Sequence, residues 1–541
     1  KNMQITIGDG AQWAFSPCDW EDAETGQLQP VGEPGDHGEA GMQGYRFAFR
    51  QDESLTDFRA HFQIRHDKAH ADVGLIFRAA SNEDFYVFHL PCCGQAYRAQ
   101  HFWGAVSRMD SSGYLRIQQL KMIARVNSLT NIWHDIEVEV QGDTLTATID
   151  GRGHFEISGL DVRPGCIGLM QFNVASLRHL VIEGPSVAGH TFQDTGPQPV
   201  NWFQPCRSDE YGLWQKPQSL LRSPSGDLVL VFGVQERPYE GRTTMLASRS
   251  KDDGRTWDDP EVLQSAGDDP WGMKGRFHQF PDGRIRCLMA EEGGYTLYEV
   301  SDDLRELSSP HRLDLGPQPE GMPTLHMGPQ AFLNQSDGSV QLFLYGAHDS
   351  SQPATSIHTW GSVHCQAFTT RSEDGGRTWS PVTSIDGVTN VEGDPIMGSL
   401  DLTEVCCAES APGILVALIR PVYSPWMWET WSRDGGRSWE PCMRGSFPGY
   451  ATPAMLKTAS GAILVAHRLP GCTIHASFDG GLTWDDGTMI DSSIWVMGSM
   501  MEVKPDLVLY VSYDSFESRM RAQFIRVQDG KLHPVRREDL A

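Results

Sequence analysis

The sequence holds no apolar run long enough to cross a membrane. Its longest runs, such as residues 414–419, fall far short of the roughly 20 residues a spanning helix needs. Positive charge is scarce as well. Lys and Arg number 44 against 70 Asp and Glu, a formal net charge of −26. That balance argues against nucleic acid as a partner, because phosphate binding needs clustered cations. It leaves room for an anionic small substrate, since a few arginines in a cleft outweigh a distant acidic surface. Metal-ligand spacing is missing too. The 11 cysteines are scattered, and the doublets Cys92-Cys93 and Cys406-Cys407 form no zinc pattern. Buried free thiols with one or two disulfides are the expectation. No signal peptide is visible, and the chain opens at Lys1-Asn2-Met3 as though already trimmed. A secreted or periplasmic location is expected.

What is present begins with length. At 541 residues, 39% hydrophobic and 21% charged, the chain is a globular protein too long for one ordinary domain. A short pattern then repeats: Ser250-x-Asp252-x-Gly254-x-Thr256-Trp257, Ser372-x-Asp374-x-Gly376-x-Thr378-Trp379, Ser432-x-Asp434-x-Gly436-x-Ser438-Trp439 and Ser477-x-Asp479-x-Gly481-x-Thr483-Trp484. Each copy reads as a tight turn in which Asp accepts backbone N–H bonds. Gly takes a backbone conformation costly for other residues, and Trp plugs the gap to a neighbouring sheet. The device is structural, and repetition at this period marks a propeller, solenoid or array. The Asp positions are separated by 122, 60 and 45 residues. The long gap predicts one more unit with a decayed turn at Val300-Ser301-Asp302-Asp303-Leu304. With a last unit lacking the turn, the count is six, at roughly 58 residues each, enough for four short strands.

Ahead of the repeats, residues 3–184 read as all-β. Alternating runs at 58–64, 72–78, 135–140 and 145–150 predict half-buried antiparallel strands with turns between them. Phe85, Tyr86, Tyr97, Phe102, Trp103 and Tyr114 are either core residues or platforms for sugar rings. Residues 186–199 lack periodicity and are rich in Gly, Pro and Ser, which places a linker there. The expected domains are 1–185, a β-sandwich, and 200–541, a β-propeller.

The repeated turn resembles the Asp-box of the sialidase-like six-bladed β-propellers, over about residues 190–541, and the order of the early strands resembles a concanavalin-like jelly roll. Each repeat also carries a hairpin turn, at Gly226, Gly283, Gly338, Gly413, Gly461 and Asp506. In such propellers, counting seven residues past the turn samples the ligand-binding rim, which gives Arg420 and Arg468. Counting back nine to twelve samples the axis and gives Lys216, Lys274, His326, Asp401, Glu404, Tyr450 and Trp495. Loop residues Glu236, Arg237, Glu240 and Arg242 reach over the same rim. Arginine offers a bidentate fork to a carboxylate, so the cluster suits a sugar acid.

Sialidases hold a carboxylate with three arginines, use a Tyr nucleophile activated by a Glu, and place an Asp acid/base on a first-blade loop. The resemblance maps Glu404 and Arg420 onto the family's Glu and second Arg, and Arg468 onto the third. It fails elsewhere. Gln215-Lys216-Pro217 stands where the first Arg belongs, no Tyr lies near Trp495 to Ser499, and Glu240 occupies the Asp position. An ordinary sialidase is therefore not implied. The expected activity is an exo-acting hydrolase that removes a terminal sugar from an acidic glycan, with Glu404 as base, Glu240 as acid, and Glu236 and Glu291 in reserve. One alternative is a uronate lyase in which Arg420 and Arg468 neutralise the carboxylate and Tyr450 or His326 moves the proton. Another is a non-catalytic glycan-binding propeller. His278, His348, His358 and His364 fall near loops without metal spacing. No cofactor is implied, and a structural Ca²⁺ at an Asp-rich loop such as Asp252-Asp253 is compatible but not required.

Overall fold

The computed structural model describes residues 2–6, 13–16, 20–23, 27–30, 45–66, 71–93, 100–126, 131–172, 175–196, 201–207, 211–212, 214–237, 240–265, 275–291, 294–317, 325–347, 365–385, 402–421, 426–449, 453–491, 496–514 and 519–540. Among them the architecture is β-strand throughout, save one 3₁₀ turn at Arg537–Asp539. No helix among them is long and apolar enough to cross a membrane. The chain divides into two compact units. One comprises Lys1–Asn201 with Leu469–Thr473 and Asp486–Trp495; the other comprises Trp202–Arg468, Ile474–Asp485 and Val496–Ala541.

The first unit is two antiparallel sheets. One runs Gly153–Ile157, Thr144–Ile149, His134–Gln141, Phe58–His66, Ala175–Pro185, Gln27–Pro30, Trp20–Ala23, and Asn2–Thr6 also pairs with Ala175–Pro185. The other runs Trp13–Ser16, Tyr45–Leu55, Gly165–Phe172, Asp72–Ser81, Asp84–His89, Gln100–Met109, Leu115–Val126. Residues from both sheets share one core: Phe62, Ile136 and Leu145 of the first meet Leu75, Phe88 and Leu169 of the second. In Phe58–His66 every second residue is buried, as its alternation predicts.

The strand Asp72–Ser81 departs from that pattern. It is buried at nine of its ten positions, not half-buried as the alternation suggested. The reason lies on the sheet's second face, where Phe47, Phe49 and Phe85 form an aromatic layer with centroid spacings of 5.4 and 5.6 Å. Phe192 joins that layer at 5.0 Å from Phe49. Residues 186–196, read as linker from composition, thus lie along this unit. Gln193 N–H donates to Ala80 O at 2.9 Å, and the Asn82 amide donates to Gly196 O at 2.8 Å. The aromatics proposed as sugar platforms are spent in the core: Phe85, Tyr86, Trp103 and Tyr114 are all buried. Tyr97 lies outside the described residues, as does the Phe102 side chain.

Among its described residues the second unit holds six groups of antiparallel strands, called sheets one to six here. Sheet one is Trp214–Arg222, Leu228–Arg237, Glu240–Ser250, Glu261–Ser265, and sheet two is Gly275–Gln279, Ile285–Glu291, Gly294–Val300, Leu307–Arg312. Sheet three is Leu325–Asn334, Val340–Ala347, Cys365–Ser372, Thr383–Ile385, and sheet four is Leu402–Ala411, Ile414–Pro421, Trp426–Ser432, Met443–Pro448. Sheet five contains Ala454–Lys457, Ile463–Arg468 and Cys472–Ser477. Sheet six is Val496–Lys504, Leu507–Asp514, Arg519–Gln528, whose outer edge is shared by Trp202–Phe203 and Lys531–Val535.

The four repeated turns have one geometry. In the second, Gly376 N–H donates to Ser372 Oγ at 2.7 Å, while the Asp374 carboxylate accepts from Thr378 N–H at 2.8 Å and Thr378 Oγ1 at 2.7 Å. The same three bonds recur around Asp252, Asp434 and Asp479. Those bonds, the Thr483 hydroxyl first, pull the Asp479 carboxyl down to about 2. Each turn closes on the sheet before it. Gly376 has φ +90°, and a Cβ there would stand 2.8 Å from Phe280 of the second sheet's core. Trp379 packs with Leu288, Leu297 and Phe280. The first turn closes on the last sheet, with Gly254 against Leu509 and Phe524. At the decayed position, Ser301 Oγ still bonds Asp303 at 2.5 Å, but Leu304 takes the positive φ, +64°, and buries its side chain in place of a glycine.

In the Asp252-Asp253 loop both Asp252 oxygens accept bonds within the turn, and Asp253 Oδ1 pairs with Arg222 at 3.1 Å. The eight cysteines that are described are free and buried, and burial pushes the Cys206 and Cys287 thiols up to about 12.

Candidate active site

The candidate residues whose side chains are best described stand at strand ends of sheets three, four and five. Sheet four supplies Glu404 and Arg420. Leu402 pairs with Pro421 and Val405 with Ile419, so Thr403 and Glu404 together face the single residue Arg420. This is a β-bulge, which re-aims one side chain out of the strand's alternation and is common beside active sites. Thr403 Oγ1 donates to Arg420 O at 3.0 Å and pins the bulge. Arg420 Nη1 then lies 3.3 Å from Glu404 Oε2. Glu404 and Arg420 are only 7% and 8% exposed, so the ion pair is buried, where charge removal is costly. Arg468, 4% exposed, ends the strand Ile463–Arg468 of sheet five at the position equivalent to Arg420.

Sheet three contributes a residue that sequence reasoning missed. Tyr345 stands seven residues beyond the Gly338 turn, the same count that gave Arg420 and Arg468. Applying that count to the third repeat finds it. Burial, and then the negative charge of Glu404, push the Tyr345 hydroxyl far above its ordinary value, while Arg420 pulls the other way. His326 pairs with Tyr345 across the hairpin, and their ring centroids are 5.6 Å apart. Glu404, Arg420, Tyr345 and His326 therefore form one cluster.

The other candidates are placed less closely. Arg237 and Glu240 face each other across the hairpin of sheet one, and Lys216 pairs with Gly233, though the side chains of all three lie outside the described residues. Glu236 and Arg242 are exposed on the same hairpin. Tyr450, Lys274, Asp401, Trp495, His348, His358 and His364 lie outside the described residues. Glu291 is engaged locally, accepting from the Thr296 and Tyr298 hydroxyls, which hold its carboxyl below the usual range. His278 is structural: its Nε2 meets Asn334 Oδ1 at 2.8 Å, its ring stacks on Phe332 at 4.9 Å, and burial takes it down to about 4.

First strands of sheets one, two, three, five and six line a common cavity of ≈ 200 Å³, with Ser219, Arg276, His278, Gln330 and Ser499 as its polar residues. Arg276 is 4% exposed and faces this space from the second sheet. Arg276 stands two positions beyond Lys274, the residue the axis count samples in that repeat.

No protein-family model matches the sequence, and no curated protein matches it either. Solved structures with some likeness include a Hadza microbial sialidase, Hz136, at 16% identity over 88% of this chain and 94% of that one, with a TM-score of 0.45. The GH93 α-L-arabinofuranosidase of Fusarium graminearum shows 13% identity over 61% of this chain and 95% of its own, at 0.38. The carbohydrate-binding module CBM66 from Bacillus subtilis shows 15% identity over 32% of this chain and 96% of its own, at 0.25. All three scores are low, and the assignment rests on the chain's own geometry.

Proposed function

We propose that the chain is an exo-acting glycoside hydrolase that removes a terminal sugar from an acidic glycan. On this reading the six sheets are the blades of a sialidase-like propeller, the repeated turns are its Asp-boxes, and the first unit is a jelly-roll companion. The protein works outside the cytoplasm, as a secreted or periplasmic enzyme. The observation that carries the reading is the buried Glu404–Arg420 pair at 3.3 Å, on a bulge at the strand end, with Tyr345 beside it. Arginine's planar fork suits a sugar carboxylate, and a paired carboxylate one strand away suits activation of water on the adjacent anomeric carbon. Glu240 is the partner acid in this scheme, protonating the leaving oxygen from the first-sheet hairpin. Arg237, Lys216 and Lys274 would extend the binding surface.

A uronate lyase is the second reading, favoured by one observation: His326 and Tyr345 pair across the third-sheet hairpin with ring centroids 5.6 Å apart, so His326 can move the proton while Arg420 and Arg468 neutralise the carboxylate. The test is product mass after incubation with sialylated, glucuronate-bearing and rhamnose-bearing oligosaccharides. A monosaccharide carrying one added water, lost in Glu404→Gln with binding retained, establishes the hydrolase. A product lighter by one water establishes the lyase. Binding without any turnover in the wild type overturns both in favour of a non-catalytic glycan receptor.

A further inference from the structure

The second unit carries a polar groove that the catalytic scheme does not use. It has two lobes, of ≈ 350 and ≈ 340 Å³, and Arg284, Glu299 and Ser309 of sheet two line both. The first lobe is completed by Arg286, by His311 and by Arg377 of the second repeated turn. The second is completed by Pro224, Asp302 and Ser308 among others. All of these residues lie within Trp202–Arg468, inside one compact unit.

The first lobe is cationic because its carboxylates are already engaged. Arg286 Nη2 donates to Asp282 Oδ2 at 2.7 Å, and Arg286 Nε donates to Glu299 Oε1 at 2.8 Å. Asp374 accepts the N–H and hydroxyl bonds of its own turn. Arg284 lends Asp282 a through-space pull, but the Arg284 and Arg377 guanidiniums make no hydrogen bond or ion pair among the described residues. Both are exposed, as are His311 and Ser308.

The other repeats show what an arginine at this turn position does when its role is structural. Arg255 donates to Leu540 O at 2.7 Å, and Arg437 donates to Asp434 O at 2.7 Å and pairs with Glu373 at 2.5 Å. The fourth turn has Leu482 there, so the turn itself needs no arginine. Arg377 lines a pocket instead. At the waist between the lobes, Leu297 pairs with His311 and Glu299 with Ser308, which leaves Tyr298 opposite both Ser309 and Pro310. On this bulge Ser309 takes φ +49°, a left-handed conformation that costs a non-glycine residue and that gathers at ligand sites.

We propose that this groove is a binding site for an anionic oligosaccharide, separate from the Glu404–Arg420 cluster. Arg284 and Arg377 receive a carboxylate or sulfate in the first lobe, and Asp302 and Ser308 bond sugar hydroxyls in the second. Two lobes joined at a waist suit a chain of sugars better than a lone inorganic ion. The Asp302 carboxylate sets the polarity, since it admits hydroxyls and repels a second anion. Binding here does not depend on turnover at Glu404.

The experiment is calorimetric titration of the full chain with tetragalacturonate, a sulfated galactotetraose, neutral galactotetraose and inorganic sulfate. The expected result is binding of one or both charged sugars, the two arms telling carboxylate from sulfate, and far weaker binding of the neutral sugar and of sulfate alone. Arg284→Ala and Arg377→Leu should each weaken one binding event about tenfold or more, as loss of a charged hydrogen bond does. Leucine is what the fourth turn carries, so the second variant keeps the turn. Ser308→Trp, which fills the second lobe, should weaken the same event. Arg305→Ala removes an exposed charge paired with Glu261 outside both lobes and should change nothing. A binding event at the Glu404 cluster would be lost in Arg420→Ala instead, so the two readings fail separately. Unaltered affinity in the Arg284 and Arg377 variants or in Ser308→Trp, or equal weakening by Arg305→Ala, would overturn the proposal. Equal binding of the neutral sugar, equal binding of inorganic sulfate, or no binding at all would do the same.

Discussion

Lowering the pH should unfold the fifth sheet's surroundings through two histidines that nothing in the catalytic scheme uses. His467 and His475 stack at 5.0 Å with an interplanar angle of 10°, and Phe447 lies 3.8 Å from His475 and 5.6 Å from His467. Trp484 of the fourth repeated turn closes the stack at 5.6 Å from Phe447. His475 Nδ1 meets Asp485 O at 2.8 Å, with the Asp485 carboxylate at 3.7 Å, whereas neither ring nitrogen of His467 has a hydrogen-bond partner among the described residues. Burial therefore takes His475 from 6.5 down to about 4, and burial beside His475 takes His467 well below its ordinary value. Both folded-state values are depressed. Above pH 6.5 the rings are neutral in both states and the full stability is present. As pH falls below 6.5 the unfolded chain takes up protons that the folded chain refuses, until pH nears 4. His475 alone shifts by some 2.5 units, so about 3 kcal/mol is lost across that window, with His467 adding to it. Urea denaturation at pH 7.5, 6, 5 and 4.5, run beside a His467→Phe/His475→Gln variant, measures it. The wild type should lose about 3 kcal/mol or more beyond what the variant loses between the ends of the series. Parallel curves would refute the reasoning, because acid loss from carboxylates is common to both proteins.

Three further outcomes are expected. Tyr345→Phe should lower kcat about tenfold or more with little change in KM if its hydroxyl moves a proton, read from steady-state kinetics beside the wild type. Gly376→Ala should cost about 2 kcal/mol or more in thermal or chemical denaturation, since φ is +90° and the new Cβ meets Phe280 at 2.8 Å. The Cys206 and Cys287 thiols should stay unreactive to a disulfide-exchange reagent in the native protein and react on unfolding, read by mass spectrometry of labelled peptides, because burial holds both thiols near 12.

The parts of the molecule that were legible in the sequence are those whose cause is local. The repeated turns close hydrogen bonds within five residues of Ser250, Ser372, Ser432 and Ser477, so their spacing alone announces them. Glu404 and Arg420 were found because hairpin length fixes which residue reaches a strand end. Tyr345 obeys the same arithmetic and was missed because the count was applied only where it returned a cation. Arg276 escaped for a different reason: it sits two residues below the sampled level, where its reach depends on the cavity it faces. The burial of Asp72–Ser81 on both faces, and of Phe85, depends on an aromatic layer assembled from residues as far apart as Phe47 and Phe192. No window of sequence contains that information.

The outer edge of sheet six has a consequence for how the chain comes into being. Trp202 and Phe203 pair with Gln523 and Ala522, and Lys531–Val535 pairs further along the same strand. A contact spanning more than three hundred residues cannot form until nearly all of the second unit has been synthesised. Sheets one to five must wait on the ribosome with an unpaired partner face, and loop closure over that distance is slow. Arg255 of the first turn even donates to Leu540 O at 2.7 Å, so the earliest sheet is fastened by the last few residues. Truncations that trim only the strand Lys531–Val535 should thus leave long-lived, aggregation-prone chains rather than slightly shortened folded proteins, and chaperone demand during biosynthesis is written into the topology.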